Sequence, residues 1–519
     1  MARSVVIGGG IAGLATAGLL AREGYEVTLL ESRSRLGGRA GLWEYEGFRF
    51  DTGPSWYLMP EVFDHFFRLM GTSARHELEL RRLDPAYRVF FEGDPTPFDV
   101  RSGRDAARSL FESIEPGAGA RLDDYLDSAA LTHRLALDVF LYTTFRRYRP
   151  LMTGAVLRRA GTLARMLREP LDTFIARRFA DPRLRQILGY PAVFLGSSPA
   201  RTPSMYHLMS HLDLEDGVWY PMGGIAAVIE RIARLASTAG ADIRTGLTAI
   251  AIDTDDCRGG ATTTAVRAID AAGVAHRFPA ELVVSAADLH HTETELLPAR
   301  LRTYSDDWWA RRSPGPGAVL VYLGVTGTLP RLAHHSLFFT NDWDAHFTAI
   351  FREPTSVPRP ASLYVCRPTA TDVSVAPPGA ENLFLLVPVP ADPALGHGGM
   401  EGAGDAAVEA IADAAIDQVA AWADIPDLRE RIVVRRTVGP GDFADELHAW
   451  RGGALGPGHT LRQSAFLRAR NASAKVSGLL YAGGSTIPGI GLPMCLISAE
   501  LVLKRLRDDT STHPLPEPV

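Results

Sequence analysis

The sequence predicts an α/β fold: a discontinuous Rossmann-like domain, built from both ends of the chain and a middle segment, with an α+β domain inserted. Three observations predict it. A glycine-punctuated strand–turn–helix–strand run occupies residues 4–31. An apolar strand, "AELVVSAAD", returns at 280–288. A second glycine-rich strand-to-helix run, "YAGGSTIPGIGLPMCLISAE", fills 481–500.

The first run starts "MARSVVIGGGIAGLATAGLLA". Its lone early Arg and apolar stretch resemble an export signal, but glycines at 8, 9, 10 and 13 break any continuous apolar helix. Ser4 to Ile7 reads instead as a β-branched strand and Leu14 to Arg22 as a helix. Gly8, Gly10 and Gly13 fit G-x-G-x-x-G between them. A second strand, "YEVTLLE", ends in Glu31, 18 residues after Gly13. This is the dinucleotide fingerprint. Its glycines let backbone approach a pyrophosphate, the helix start presents N–H groups and partial positive charge, and the acid accepts from a ribose.

"GGR" at 37–39 follows closely. It resembles the second motif of flavoproteins of the amine oxidase type, which bind FAD. The resemblance implies close approach at Gly37 and Gly38 and phosphate neutralisation by Arg39; a solvated surface charge is the alternative for Arg39. "FDTGP" (50–54) reads as a strand ending in a tight turn, which that superfamily places near the flavin. Asp51 is either turn-forming or functional.

Along the chain, residues 60–200 read as mainly helical. A turn, an amphipathic helix and strands follow at 217–253, then strand alternation at 317–390 and a helix over 406–423. This organisation divides the chain into a first FAD-binding segment (1–75), a mainly helical substrate- or membrane-facing segment (76–210), a second FAD-binding segment (211–290), a substrate domain with a β-sheet (291–450), a C-terminal FAD-binding segment (451–507) and a disordered tail (508–519). In the C-terminal run, Gly483 and Gly484 end a strand. Gly489 and Gly491 let the backbone run against a flat ring, and Leu492, Pro493 and Met494 open a helix. Pro493 suits a first helical turn. The N–H groups there would face the flavin pyrimidine edge, where reduced flavin tends to be anionic.

Over nearly its whole length the chain resembles the bacterial-type phytoene desaturases of carotenoid biosynthesis. The resemblance rests on "GVWYPMGG" (217–224), "HHSLFF" (334–339), "PASLYVCRPTATDVSVAPPGAENLFLLVPVP" (360–390), the 481–500 run and, more weakly, "RGGALGPGHTLRQSAFLRARNAS" (451–473). It implies stepwise dehydrogenation of phytoene toward lycopene, with an allylic hydride passing to flavin N5 and a proton lost from the neighbouring carbon. No side chain accepts hydride, so FAD carries the oxidation. Many members have His where this chain has Ile487, so no imidazole stands there. A substrate without polar handles needs a long apolar tunnel. Residues 55–67, 140–145 and 189–196 are candidates for lining it, or are plain core. No catalytic acid or base is assigned, although Asp51, His334 and His335 hold interesting positions. Related readings are a diapophytoene desaturase, a carotenoid ketolase, a carotene isomerase, a flavin amine or porphyrinogen oxidase, and a flavin-free isoprenoid carrier.

Composition narrows the partners. A net charge of −6 argues against general nucleic-acid binding. Three scattered cysteines suggest neither a disulfide framework nor a metal site, and fit a reducing cytoplasm. No apolar run reaches spanning length. A bilayer-dissolved polyene therefore implies a cytoplasmic protein that docks peripherally at the membrane surface; the electron acceptor, oxygen or a quinone, stays open. The docking candidate is Arg146 to Arg185, with 11 Arg against Glu169, Asp172 and Asp181, a net 11 − 3 = +8. On one helical wheel, Met152, Val156, Leu163 and Leu167 fall opposite Arg158, Arg165 and Arg168. A solvated helix packed on the domain is the alternative.

Overall fold

The structure, a computed structural model, describes residues 2–519. Five strands form a wholly parallel sheet: β1 (Arg3–Ile7), β2 (Glu26–Glu31), β3 (Asp242–Thr245), β4 (Leu282–Ser285) and β5 (Leu479–Tyr481), in the order β5-β4-β1-β2-β3. Chain order and spatial order differ, so the sheet is assembled from distant segments, as the three sequence signals require. The faces of β1 divide cleanly. Val6 packs towards helices α1 (Ile11–Arg22), α2 (Ile225–Thr238) and α3 (Leu492–Leu506), while Val5 and Ile7 pack towards the antiparallel strands Leu247–Cys257 and Gly260–Asp270. Because α1 is covered on all sides, it is apolar all round, with Leu14, Leu19 and Leu20 buried.

The inserted part is built on a seven-stranded mixed sheet. One of its interior strands, Gly317–Thr326, shows period-two partition: Val319, Val321, Leu323 and Val325 meet the helix Ala406–Trp422, while Ala318, Leu320 and Tyr322 face the opposite core. Strands Tyr87–Phe91 and Phe98–Val100 complete this sheet. The 60–200 stretch is mainly helical, as expected, and within it the β-branched and aromatic run at 87–91 pairs in parallel with His335–Phe339.

Two expectations are corrected. The wheel through 152–168 assumed one helix, but the chain breaks at Arg159 into Gly154–Arg158 and Ala160–Arg168. The tail expected to be disordered is packed. Buried Lys504 Nζ donates to the carbonyls of Tyr142 (2.9 Å), Ser511 (3.0 Å) and His513 (2.6 Å), and Glu500 accepts from the Leu515 N–H (2.5 Å). The buried charges on the inner face of α3 need these partners, and the tail supplies them.

Candidate cofactor site

The end of β1 and the start of α1 meet at a close approach. A Cβ on Gly13 would lie 1.9 Å from the Gly8 carbonyl oxygen, so only glycine lets the helix sit this near the strand. Gly10 is different. A Cβ there would meet nothing nearer than 3.8 Å, so the space beside it is open. Gly10 caps α1 with no side-chain hydrogen bond, and the first turn holds no acid. The helix therefore presents its partial positive charge without a protein anion. Glu31 ties the second strand to this turn: Oε2 accepts from the Gly9 N–H (2.6 Å) and Oε1 from the Arg33 N–H (2.9 Å).

The Gly37–Gly38 segment lies directly on the turn. Gly37 N–H donates to Gly9 O (2.9 Å), and a Cβ on Gly38 would sit 3.2 Å from Gly10 Cα. Arg39 is half-buried, and its Nε donates to Ala454 O (2.8 Å). Burial lowers its pKa, opposed by Asp288 and Cys495. Among the described residues, no carboxylate forms an ion pair with it. Asp51 proves to be a helix cap supplied from a distance, its carboxylate accepting from the Ile225 (2.7 Å) and Ala226 (2.9 Å) N–H groups at the start of α2. Burial raises its pKa to about 6.

The C-terminal run closes on the same place. A Cβ at Gly483 would lie 3.4 Å from the Cβ of Ala12 in α1, and the Gly483 N–H donates to Ser498 Oγ (3.0 Å). Gly484 has space around it, with no atom nearer than 3.8 Å to such a Cβ. Helix α3 starts after Gly491 with Leu492 buried, Pro493 in the first turn, Met494 half-buried, no side-chain cap and no first-turn acid. The predicted glycines thus converge: both helix starts, the 37–39 segment and the 483–494 loop adjoin one another.

Two residues that sequence reasoning missed hold this loop. Ile490 N–H donates to His459 Nε2 (3.1 Å). With Nε2 accepting, the neutral ring carries its proton on Nδ1, which donates to the Tyr206 hydroxyl oxygen (2.6 Å). Burial holds the imidazole neutral by pushing its pKa well below the usual value. Buried Arg468 donates to the carbonyls of Thr486 (3.0 Å), Gln463 (3.1 Å) and Gly484 (2.5 Å). Burial lowers its pKa to about 10, so it stays charged. The only sequence signal for either was the 451–473 resemblance.

An aromatic cluster adjoins the loop. Leu195 O accepts from His459 N–H (2.8 Å), so the segment before it, with Tyr190 and Phe194, is fixed against the cradle. Trp56 packs on Tyr190, Phe194 and Tyr364 and stacks on the His335 ring (4.4 Å between centroids, 10°). Segments 55–67 and 189–196, both tunnel candidates, meet here.

The donor set fits FAD. Two uncapped helix starts and two guanidinium groups without a paired carboxylate suit an anionic pyrophosphate and an electron-rich ring, and the space at Gly10 is where such a group can approach. Residues 11–502 match the family described as flavin containing amine oxidoreductase. A carotenoid 3,4-desaturase of Haloarcula japonica is 41% identical over 97% of this chain and 98% of its own length. The chain belongs to this family, among its carotenoid desaturases. This desaturase-type flavoprotein is also 34% identical to a zeta-carotene-forming phytoene desaturase of Myxococcus xanthus, covering 97% of this chain and 93% of that one. Its fold is that of putrescine oxidase, with a TM-score of 0.59 at 13% identity, covering 98% and 99% of the two chains. An oxidoreductase of Methanosarcina mazei gives a TM-score of 0.57 at 17% identity over 97% and 100%.

Proposed function

We propose that the protein is an FAD-dependent desaturase of acyclic C40 carotenoids, acting on phytoene and its partly desaturated products. The observation that carries this reading is the near-full-length 41% identity to a carotenoid desaturase in a chain whose glycine cradle is intact. Gly8, Gly10, Gly13, Glu31, Gly38, Arg39, Gly483, Gly484, Gly491, Leu492, Pro493 and Met494 would hold FAD. Residues 1–75, 211–290 and 451–507 would serve the cofactor, and 76–210 and 291–450 the substrate.

Bound FAD supplies a two-electron acceptor for hydride leaving an allylic carbon. The protein's own residues do the rest. The start of α3 and the Arg468 guanidinium favour negative charge at the cradle. Trp56, Tyr190 and Phe194 offer a polyene flat apolar contact and exclude water. Helices here are too short or too polar to cross a membrane among the described residues, so a bilayer-dissolved substrate calls for peripheral docking.

The relative at 41% identity favours a second reading, introduction of a 3,4 double bond near the end of an already conjugated acyclic carotenoid. One experiment separates the two. Holoprotein is mixed anaerobically with liposomes carrying phytoene or a conjugated acyclic carotenoid, flavin absorbance is followed, and products are resolved by chromatography. Flavin bleaching with phytoene and a product of longer conjugation support the first reading; bleaching with the conjugated carotenoid alone supports the second. No bleaching with either overturns both.

A further inference from the structure

The reaction needs a proton acceptor, and the aromatic cluster contains a side chain suited to it. His335 starts the strand His335–Phe339 and is fully buried. Its register partner is Cys366 on the neighbouring strand, so its side chain lies on the face that carries Cys366, Tyr364 and the aromatic cluster. Nδ1 is 2.7 Å from the Tyr364 hydroxyl, and that hydroxyl is 2.6 Å from Ser55 Oγ. Nε2 is buried and has no hydrogen-bond partner. A buried polar atom left bare is costly and calls for a role. Trp56 covers the ring face, which sets its plane.

Other titratable groups nearby are less suited. Both Asp51 oxygens cap α2. Asp213 also keeps one buried oxygen, Oδ1, without a partner, but its Oδ2 is tied by the Tyr190 (2.7 Å) and Tyr87 (3.2 Å) hydroxyls. His334 likewise has a bonded Nδ1, to Thr371 Oγ1 (2.8 Å), and a buried Nε2 without a partner, but its ring packs on Tyr220 rather than on Trp56. Only His335 stacks on Trp56, the residue that bridges Tyr190, Phe194 and Tyr364.

We propose that His335 is the catalytic base, its Nε2 taking the proton from the substrate carbon next to the one that loses hydride. This rests on the desaturase reading. One C–H bond breaks with its electron pair leaving as hydride to FAD. The adjacent C–H bond breaks, its pair stays on carbon as the new π bond, and its proton forms the N–H bond at Nε2. In the reactive tautomer Nδ1–H donates to Tyr364 Oη, the Tyr364 hydroxyl donates to Ser55 Oγ, and Nε2 offers its lone pair. Burial and the neighbouring His334 lower the pKa of the imidazole, so it is neutral before turnover and its Nε2 lone pair is free. The imidazolium that forms is covered by the Trp56 face, a favourable cation–π arrangement.

The test uses holoprotein with the carotenoid that the wild type converts; a wild type that converts none overturns the functional reading, separately from this inference. His335→Asn retains an amide where Nδ1 bonds Tyr364 but has nothing in place of Nε2, so it preserves the fold while removing the base. His335→Ala opens room for added imidazole. Flavin content should stay at the wild-type level in both. Substrate-driven flavin bleaching should slow by about 100-fold or more, and imidazole should restore the His335→Ala rate at least about tenfold, which a merely structural role would not produce. A His335→Asn rate within threefold of wild type overturns the proposal, as does a flavin-replete His335→Ala that imidazole leaves slow. If His335→Ala fails to fold, His335→Asn alone decides by its rate.

Discussion

Ile490 N–H donates to His459 Nε2 across 3.1 Å, and the glycine before it, Gly489, packs so tightly on the same ring that a Cβ would lie 2.2 Å from Cε1. One buried imidazole therefore shapes the loop that leads into α3. His459→Ala leaves the Ile490 N–H without a partner, a penalty of about 1–3 kcal/mol. We expect FAD affinity to fall roughly tenfold, as 1.4 kcal/mol implies. Fluorescence titration of apoprotein with FAD measures this; an unchanged Kd would show that the loop does not depend on the ring.

Gly10 and Gly13 should respond in opposite ways. Gly10→Val fills open space, so apoprotein should fold with a melting temperature near wild type and contain no flavin. Gly13→Ala drives a Cβ to 1.9 Å from the Gly8 carbonyl. This exceeds ordinary overpacking, which costs about 1–3 kcal/mol, and should cost soluble yield as well as flavin. Thermal melts and flavin-to-protein absorbance ratios distinguish the two; full flavin in Gly10→Val would remove the cradle assignment.

The Asp51 carboxylate titrates with the fold. Its pKa is raised from 3.8 to about 6, chiefly by burial. The folded state therefore binds the proton more tightly, and stability from this group is greatest below pH 3.8 and is lost as pH rises to about 6. Asp51→Asn should remove that slope. Denaturant midpoints taken from pH 4 to 7 check it: an unchanged difference between variant and wild type at every pH would contradict the assignment.

How much of this was legible follows from where each interaction lies. The β1–α1–β2 unit could be read because its glycines and Glu31 act within one local run. The C-terminal helix start was readable for the same reason. His459 and Arg468 could not be, since their meaning comes from bonds to Ile490, Gly484 and Thr486 that form only after folding. The strand Tyr87–Phe91 was hidden because its partner His335–Phe339 lies some 250 residues on. The packed tail was missed because its polar composition conceals the buried Lys504 and Glu500 that hold it.

Lys504 offers a direct check on that tail. Lys504→Met keeps the apolar stem but leaves the carbonyls of Tyr142, Ser511 and His513 without their donor. Such unmet groups cost about 1–3 kcal/mol. Residues 508–519 should then lose amide protection and become open to protease, whereas wild type resists. Hydrogen exchange followed by mass spectrometry reads both, and equal protection in the two proteins would mean that Lys504 does not hold the tail.

The peripheral docking proposed above would use a face that the folded chain narrows down. Of the apolar side of the helical wheel only Met152 is fully presented to solvent, while Val156, Leu163 and Leu167 are half-buried. Exposed with Met152 (63%) are Tyr148 (53%) and Leu157 (54%), and Tyr148 lies 6.4 Å, ring to ring, from exposed Phe466. Leu467 beside it is exposed as well. Arg147, Arg149, Arg158 and Arg168 surround these residues in the chain, are exposed, and form no ion pair among the described residues. Apolar tips amid free arginines suit an anionic bilayer, where each arginine near the surface contributes about 1 kcal/mol and salt screens the attraction. Two variants separate the contributions. Replacing Arg158, Arg165 and Arg168 by Gln should weaken binding to anionic liposomes and reduce its salt dependence. Met152→Glu with Leu157→Glu should weaken binding at every salt concentration, because burial of apolar side chains is insensitive to screening. Co-sedimentation with anionic and zwitterionic vesicles measures both, and binding that survives the two sets of changes places the docking face elsewhere on the molecule.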